Sequence, residues 1–390
     1  MTSETALPPT AAPDQQLRFA AAYRVLQDAI AARVFPGCAF GVLAGGKVVL
    51  HDALGHFTYD EGAPAVTPQT IYDLASVTKV VATTAAAMLL SQRGLLDLDM
   101  PVGELLPGFM VGRAPGTYAR YVKVRHLLAH NSGLPGYVDF FRTAATPTAL
   151  LRACLELPLE VPPGARAEYS DPGFILLGKA LEVITREPLA RWVRREVFHP
   201  LEMAATAFNP PARAHKAISP TEDDTVLRHR IIQGEVQDEN ASVLGGAAGH
   251  AGLFSNVPDL LRFSQEILDA TRQPSGAGSG EARLFAAATI ERFAERQGPE
   301  GSLRALGWDT PSENSSSGLH FSPHSIGHLG YSGCSLWIDL DAEVAVVLLT
   351  NRTWPDRGNQ SIRELRPDFH NAVREALSRK SREPPGRSRG

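Results

Sequence analysis

The sequence predicts an α/β fold: one sheet drawn from both ends of the chain, interrupted by a mainly helical insertion. Three observations predict it. Near the amino end, two short β-rich runs at 38–44 and 48–51 flank Gly45-Gly46, a hairpin signal. Near the carboxyl end, two more runs at 334–340 and 343–350 flank a turn at 339–342. Between them, residues from about 95 to 235 read as helices broken by proline-bearing loops. Strands at both ends of a helical middle place the carboxyl-terminal segment in the sheet that the amino-terminal hairpin begins.

Each element has a local reason. Residues 1–13 are rich in Pro, Thr and Ala and predict a loose lead-in. Helical periodicity over 17–34 stops at Pro36-Gly37. From Ser76 an Ala/Leu/Val-rich segment runs to Gly94, apolar nearly all round, which predicts a buried helix. Thr146 caps a predicted helix over 147–156 with proline in its first position, and a second helix covers 173–186. A glycine-rich stretch, 245–252, precedes a helical pattern at 257–270. Residues 273–281 and 312–318 are Gly/Ser-rich and predict flexible surface loops. A helix over 362–377 closes the fold, and the basic, proline-rich 381–390 predicts disorder. No internal repeat is present. The predicted organisation is a discontinuous α/β domain (14–75 plus 245–378), a mainly helical domain (76–244), and flexible tails at 1–13 and 381–390.

Composition narrows the function. Of 390 residues, 44% are hydrophobic, and 38 basic side chains face 42 acidic ones. That balance excludes global disorder and argues against nucleic-acid binding, which needs a basic surplus. Cys38, Cys154 and Cys334 are too few and too scattered for a disulfide framework or zinc site, and read as buried apolar residues. No run reaches the roughly 18 apolar residues of a membrane span. The start MTSETALPPTAAPDQQ lacks the basic and apolar regions of an export signal, so the expected location is cytoplasmic.

The sharpest local feature is Ala75-Ser76-Val77-Thr78-Lys79. A serine and a lysine three apart at a helix start share one face. A serine hydroxyl becomes nucleophilic only when a base takes its proton, and a partly desolvated lysine can serve. The helix amino terminus favours the developing negative charge.

The longer segment Tyr72-Asp73-Leu74-Ala75-Ser76-Val77-Thr78-Lys79 resembles the nucleophile motif of the penicillin-recognising serine hydrolases, the superfamily of class C β-lactamases, DD-peptidases and β-lactamase-like esterases. The resemblance extends through Arg125-His126-Leu127-Leu128-Ala129-His130-Asn131-Ser132-Gly133-Leu134 and Tyr169-Ser170-Asp171. It continues through 245–255, Trp308-Asp309, Gly327-His328-Leu329-Gly330-Tyr331-Ser332-Gly333 and Leu349-Thr350-Asn351-Arg352. In all it covers about residues 20 to 378. It implies the β-lactamase/transpeptidase-like fold, an antiparallel sheet flanked by helices with the site in the cleft beside the helical domain. It implies that Ser76 carries the acyl group, that Lys79 and Tyr169 relay protons, and that the backbone N–H groups of Ser76 and Tyr331 form the oxyanion hole. Substrate contacts would come from Asp171, His328, Leu329, Gly330, Asn351 and Arg352. No metal and no cofactor is implied; the partner is a small ester, amide or lactam, with no nucleic acid and no membrane.

Two departures from the family pattern bear on mechanism and substrate. Asp171 stands where the family carries asparagine, and a carboxylate near Lys79 favours ammonium over amine, which moves the base role towards Tyr169. His328-Leu329-Gly330 replaces the frequent Lys-Thr-Gly, so the cation and hydroxyl suited to a substrate carboxylate are missing unless Arg352 or another cation supplies one. The expected activity is therefore that of a carboxylesterase acting on uncharged esters or amides. The alternatives are a β-lactamase or D-amino-acid peptidase, and a non-catalytic ligand-binding protein of the same fold.

Other features read as structural. His126 and His130 lack the glutamate of a His-Glu-x-x-His zinc motif and brace a loop or core. The 245–252 stretch lacks the ending of a phosphate loop and predicts close backbone packing, with His250 a candidate for supporting the site. No Gly-x-Ser-x-Gly occurs. Glu222-Asp223-Asp224 reads as a solvated loop.

Overall fold

The computed structural model describes residues 11–272 and 283–378. The predicted loop at 273–281, the tail at 381–390 and most of the lead-in lie outside them.

The hairpin forms where the sequence places it. Strand β1 (Gly37–Ala44) turns through Gly45 and Gly46, both at positive φ, into β2 (Lys47–Gly55). Positive φ at both turn positions matches the twist of a hairpin, and glycine adopts it without strain. At the carboxyl end come β3 (Ser325–Leu329), β4 (Ser335–Asp339) and β5 (Val344–Thr350). The five strands make one antiparallel sheet in the order β2-β1-β5-β4-β3. The chain's two ends meet at the β1–β5 pair, where Cys38 faces Thr350 and Ala44 faces Val344.

Both faces of this sheet are covered, so β5 is buried along its whole length. Side chains alternate between two cores. Phe40, Val42, Val346 and Leu348 pack under the terminal helices Ala20–Ala31 and Ile362–Ser378. Ala39, Leu43, Val347 and Leu349 join the larger core with helix Val257–Arg272. Gly41 lets that helix approach: a Cβ there would lie 2.5 Å from Val257 Cγ1. The predicted single helix over 17–34 divides at Phe19, whose fully buried ring sits between Pro13–Arg18 and Ala20–Ala31.

The middle of the chain carries the helices, among them Pro147–Glu156, Asp171–Thr185 and Glu239–Val243. Thr146 caps the first as expected, its Oγ1 accepting from the Ala149 N–H at 3.2 Å. A small antiparallel ribbon, Tyr72–Asp73 with Leu253–Ser255 and Ala207–Phe208, sits between these helices and the large sheet.

Two surface expectations need correction. Segment 312–318 is not a loose loop: Ser317 is fully buried, donates to Ser315 Oγ, and the Ser316 carbonyl accepts from His370 Nδ1. Nor is 222–224 solvated: it pairs as a strand with Arg230–Ile232, and Glu222 and Asp224 are buried. Both are satisfied by arginine, Glu222 by Arg357 and Asp224 by Arg228. Composition reports polarity, whereas burial depends on partners that lie elsewhere in the chain. Among the described residues no helix is long and apolar enough to cross a membrane.

Candidate active site

The strand Tyr72–Asp73 ends below the cleft, and the chain turns sharply through Ala75, which holds a left-handed φ of 46°. Such a conformation in a residue with a Cβ needs support from its surroundings. Asp73 supplies it, its Oδ1 accepting from the Ala75 N–H at 2.8 Å. A single 3-10 turn over Ala75–Val77 then presents Ser76, and a wider π-helical stretch, Lys79–Thr84, leads into the helix Ala85–Gln92. Everything from Val77 to Leu90 is buried, as the all-round apolar pattern predicts, while Ser76 stays partly open.

Lys79 is wholly buried and its ammonium group is fully occupied. Nζ donates to Ser76 Oγ at 3.0 Å, to Asp171 Oδ1 at 2.6 Å and to the His250 carbonyl at 3.0 Å. Three acceptors around one nitrogen suit an ammonium. Burial alone would lower the Lys79 pKa; the Asp171 carboxylate and the Tyr169 hydroxyl outweigh it and the net shift is upward.

Tyr169 packs its ring 4.8 Å from Lys79 Nζ and lies tilted against His130, at 4.6 Å between centroids. Burial raises its pKa most, the Lys79 cation opposes, and the net direction is up. Its hydroxyl is buried, and Lys79, Asp171 and Ser76 are the groups that act on it. His130 accepts from the Ser170 N–H through Nδ1, and His328 places Nδ1 2.8 Å from the Leu329 carbonyl. Burial drives the pKa of both well below the ordinary histidine range, so they are neutral. His126 braces its own turn, Nδ1 accepting from the Lys123 N–H. His250 sets its Nε2 2.8 Å from Asp238 while its carbonyl holds Lys79.

The structure brings Ser76, Lys79, Tyr169 and Asp171 together, with Tyr331 across the opening. Neither the Ser76 nor the Tyr331 N–H makes a backbone hydrogen bond among the described residues. Leu329 and Gly330 line the cleft beside His328. Arg352 reaches it too, but its guanidinium braces the loop, donating to the carbonyls of Tyr331 and Asn359 and lying 4.3 Å from the Tyr331 ring centroid. Asn351 does not reach it: the side chain is buried and donates to the Phe57 and Pro220 carbonyls.

Two cavities meet at Ser76, Tyr169 and Tyr331. One, of about 570 Å³, has an acidic wall that includes Asp139, Asp223, Asp238 and Asp356. The other, of about 270 Å³, is lined by Arg304, Arg352, Arg363 and Arg366 against a single acid, Asp309. Arg366 donates to the Gly330 and Cys334 carbonyls, and burial pushes its pKa down to about 10, so it stays charged. Arg304 lies 5.2 Å from the Tyr169 ring centroid and pairs with Asp309. Sequence reading missed Arg304, Arg363 and Arg366, which stand more than 220 residues from Ser76 and carry no local motif.

The fold and this arrangement can be set beside known proteins. The family model for Beta-lactamase matches residues 23–368. The chain belongs to the beta-lactamase family. Members of that family are serine hydrolases. Among curated relatives, proteins of Salmonella typhimurium and Salmonella typhi with the provisional name D-alanyl-D-alanine carboxypeptidase are 30% identical over 350 residues, 82% of this chain and 79% of theirs. Among solved structures, EstCE1, described as a hydrolase with promiscuous acyltransferase activity, superposes with a TM-score of 0.74 at 22% identity, over 93% of this chain and all of that one. A penicillin-binding protein homologue from Caulobacter crescentus gives 0.72 at 19%, over 96% of this chain and all of that one. At such identities these two structures speak for the shared β-lactamase/transpeptidase-like fold alone.

Proposed function

We propose that this beta-lactamase family member hydrolyses small acyl substrates through an acyl-enzyme on Ser76. The observation that carries the reading is the chain of contacts Ser76 Oγ–Lys79 Nζ–Asp171 Oδ1 at the floor of an open cleft. With Lys79 held as ammonium, Tyr169 is the group left to take the Ser76 proton; it does so as the phenolate, the form that the Lys79 cation favours against burial. Ser76 Oγ attacks the carbonyl carbon, and charge on the carbonyl oxygen falls to the Ser76 and Tyr331 N–H groups. Tyr169 then protonates the leaving alkoxide or amine. Water, deprotonated by the same phenolate, attacks the acyl carbon, and Tyr169 passes that proton to Ser76 Oγ as the acyl–oxygen bond breaks, which restores both the serine hydroxyl and the phenolate.

The preferred substrates are carboxylic esters and amides. A second reading has its own support: the arginine-lined cavity offers cations that His328-Leu329 does not, which suits a carboxylate-bearing lactam or D-amino-acid peptide. Turnover of p-nitrophenyl butyrate and nitrocefin by wild type and Ser76→Ala, with intact-mass detection of the acyl adduct, tests both. Ester turnover lost in Ser76→Ala supports the first reading, and nitrocefin outpacing the ester moves the assignment to the second. No turnover and no adduct would leave a ligand-binding protein.

A further inference from the structure

Asp73 lies three residues before Ser76, is buried with no ion-pair partner among the described residues, and touches three separate parts of the site. Its Oδ1 accepts from Ala75 N–H across the strained turn, at 2.8 Å. Its Oδ2 accepts from the Gln237 N–H at 2.7 Å, on the segment that leads to Asp238 and the acidic wall. Its main-chain carbonyl accepts from Ser332 Oγ at 2.7 Å, the residue after Tyr331. A carboxylate buried without a cation is costly, and here two backbone donors are what hold it.

We infer that Asp73 is a positioning residue: its carboxylate and carbonyl together set the separation between the Ser76 and Tyr331 N–H groups that receive the substrate oxygen. The inference rests on Ser76 being the nucleophile. One residue holds both sides of the gap. The side chain fixes the turn that carries Ser76, and the carbonyl tethers the turn that carries Tyr331. Stabilisation of an oxyanion is geometrically demanding, and a misplacement of about 1 Å costs on the order of 100-fold in rate.

The same placement makes the gap sensitive to acid. Burial raises the Asp73 pKa most, the Gln237 and Ala75 N–H groups oppose it, Asp238 raises it further and Arg228 lowers it, for a result of about 6. The Cys334 thiol, which lies 3.7 Å from the Asp73 carbonyl, is neutral because burial raises its own pKa. Below about pH 6 the carboxyl gains a proton, and one of its oxygens faces an N–H it no longer accepts from as well. Turnover should therefore fall along an acid limb that belongs to Asp73.

The test compares kcat and KM for p-nitrophenyl butyrate from pH 4.5 to 8 in wild type, Asp73→Asn, Ser332→Ala and Ser76→Ala, with circular dichroism on each. Asp73→Asn is expected to lower kcat about 100-fold, to change KM less than threefold and to lack the acid limb near pH 6. Ser332→Ala, which keeps the carboxylate, should lower kcat about tenfold and retain that limb. Wild-type kcat in either variant, or an acid limb that survives in Asp73→Asn, overturns the inference. If Asp73→Asn does not fold, Ser332→Ala decides by the same two readings. Full turnover by Ser76→Ala would refute the acyl-enzyme itself, a failure distinct from that of Asp73.

Discussion

Asp171 Oδ1 lies 2.6 Å from Lys79 Nζ, and in that pair the lysine is wholly shielded from solvent while the aspartate keeps a narrow exposure. The pair decides how the lysine can act. With the carboxylate in place Lys79 is a donor to Ser76; without it, burial is opposed by Tyr169 alone and the lysine pKa moves down.

Asp171→Asn should therefore move the rising limb of kcat/KM to lower pH, because the Asp171 carboxylate also raises the pKa of Tyr169, the base, and its loss lets the phenolate form sooner. Stability changes as well. The folded pKa of Lys79 lies above its unfolded value, so the pair stabilises the fold throughout the range below the unfolded pKa of about 10.4 and loses that contribution as pH rises through the folded value. At pH 7, removing one partner should cost on the order of 3 kcal/mol. Urea denaturation and a pH–rate profile of the variant check the two effects. An unshifted limb would show that Asp171 does not tune the base.

The arginine-lined cavity predicts selectivity. Arg363 is exposed and makes no ion pair among the described residues, unlike Arg304 with Asp309. A charge-assisted hydrogen bond is worth about 1.5–3 kcal/mol, roughly a factor of ten to a hundred. Arg363→Ala should raise KM for a peptide ending in a free carboxylate by at least about tenfold, and leave KM for the same peptide as its amide unchanged. Equal effects on both substrates would remove Arg363 from substrate recognition.

What the sequence made legible was local. Gly45-Gly46 fixes a hairpin by backbone conformation alone, and Thr146-Pro147 starts a helix by capping chemistry. Ser76 and Lys79 lie within three residues, so helical geometry suffices to join them. Arg304, Arg363 and Arg366 reach the cleft only through the packing of loops and the last helix, which no short-range pattern encodes. Asn351 misled for a related reason: the end of β5 points towards the cleft, yet its amide finds the Phe57 and Pro220 carbonyls first. The missing cation at His328 is legible from residue type, and burial adds a stronger cause by driving the imidazole pKa well down.

Three buried neutral histidines predict acid sensitivity. Burial lowers the pKa of His130, His328 and His370, the last to about 4. Each folded value lies below the unfolded one of about 6.5, so the unfolded chain binds more protons at low pH. Stability is fully present above about pH 6.5 and is lost as pH falls. His370 alone should account for roughly 3 kcal/mol between pH 6.5 and 4, at about 1.4 kcal/mol per unit. His370→Gln should flatten the dependence of Tm on pH across that window, and a slope unchanged from wild type would count against the assignment.

Gly330 gives the last prediction. The residue follows β3 and packs directly on the turn before Ser76: a Cβ there would lie 2.4 Å from the Leu74 carbonyl oxygen and 3.2 Å from Cys334 Cβ. The obstruction is backbone, so a rotamer change cannot relieve it, and the two segments must separate. Those segments carry Ser76 on one side and Tyr331 on the other. Gly330 is also tied by Arg366, which donates to its carbonyl at 2.7 Å, so the strand end cannot tilt freely. Gly330→Ala should therefore act on the chemistry more than on the fold. Loss of one oxyanion donor costs about 100- to 1,000-fold in kcat, and a fall of that order is expected with KM nearly constant. Thermal unfolding should remain cooperative, since no apolar side chain of either main core is removed. A variant that keeps wild-type kcat would show that the gap between Leu74 and Gly330 does not govern the reaction.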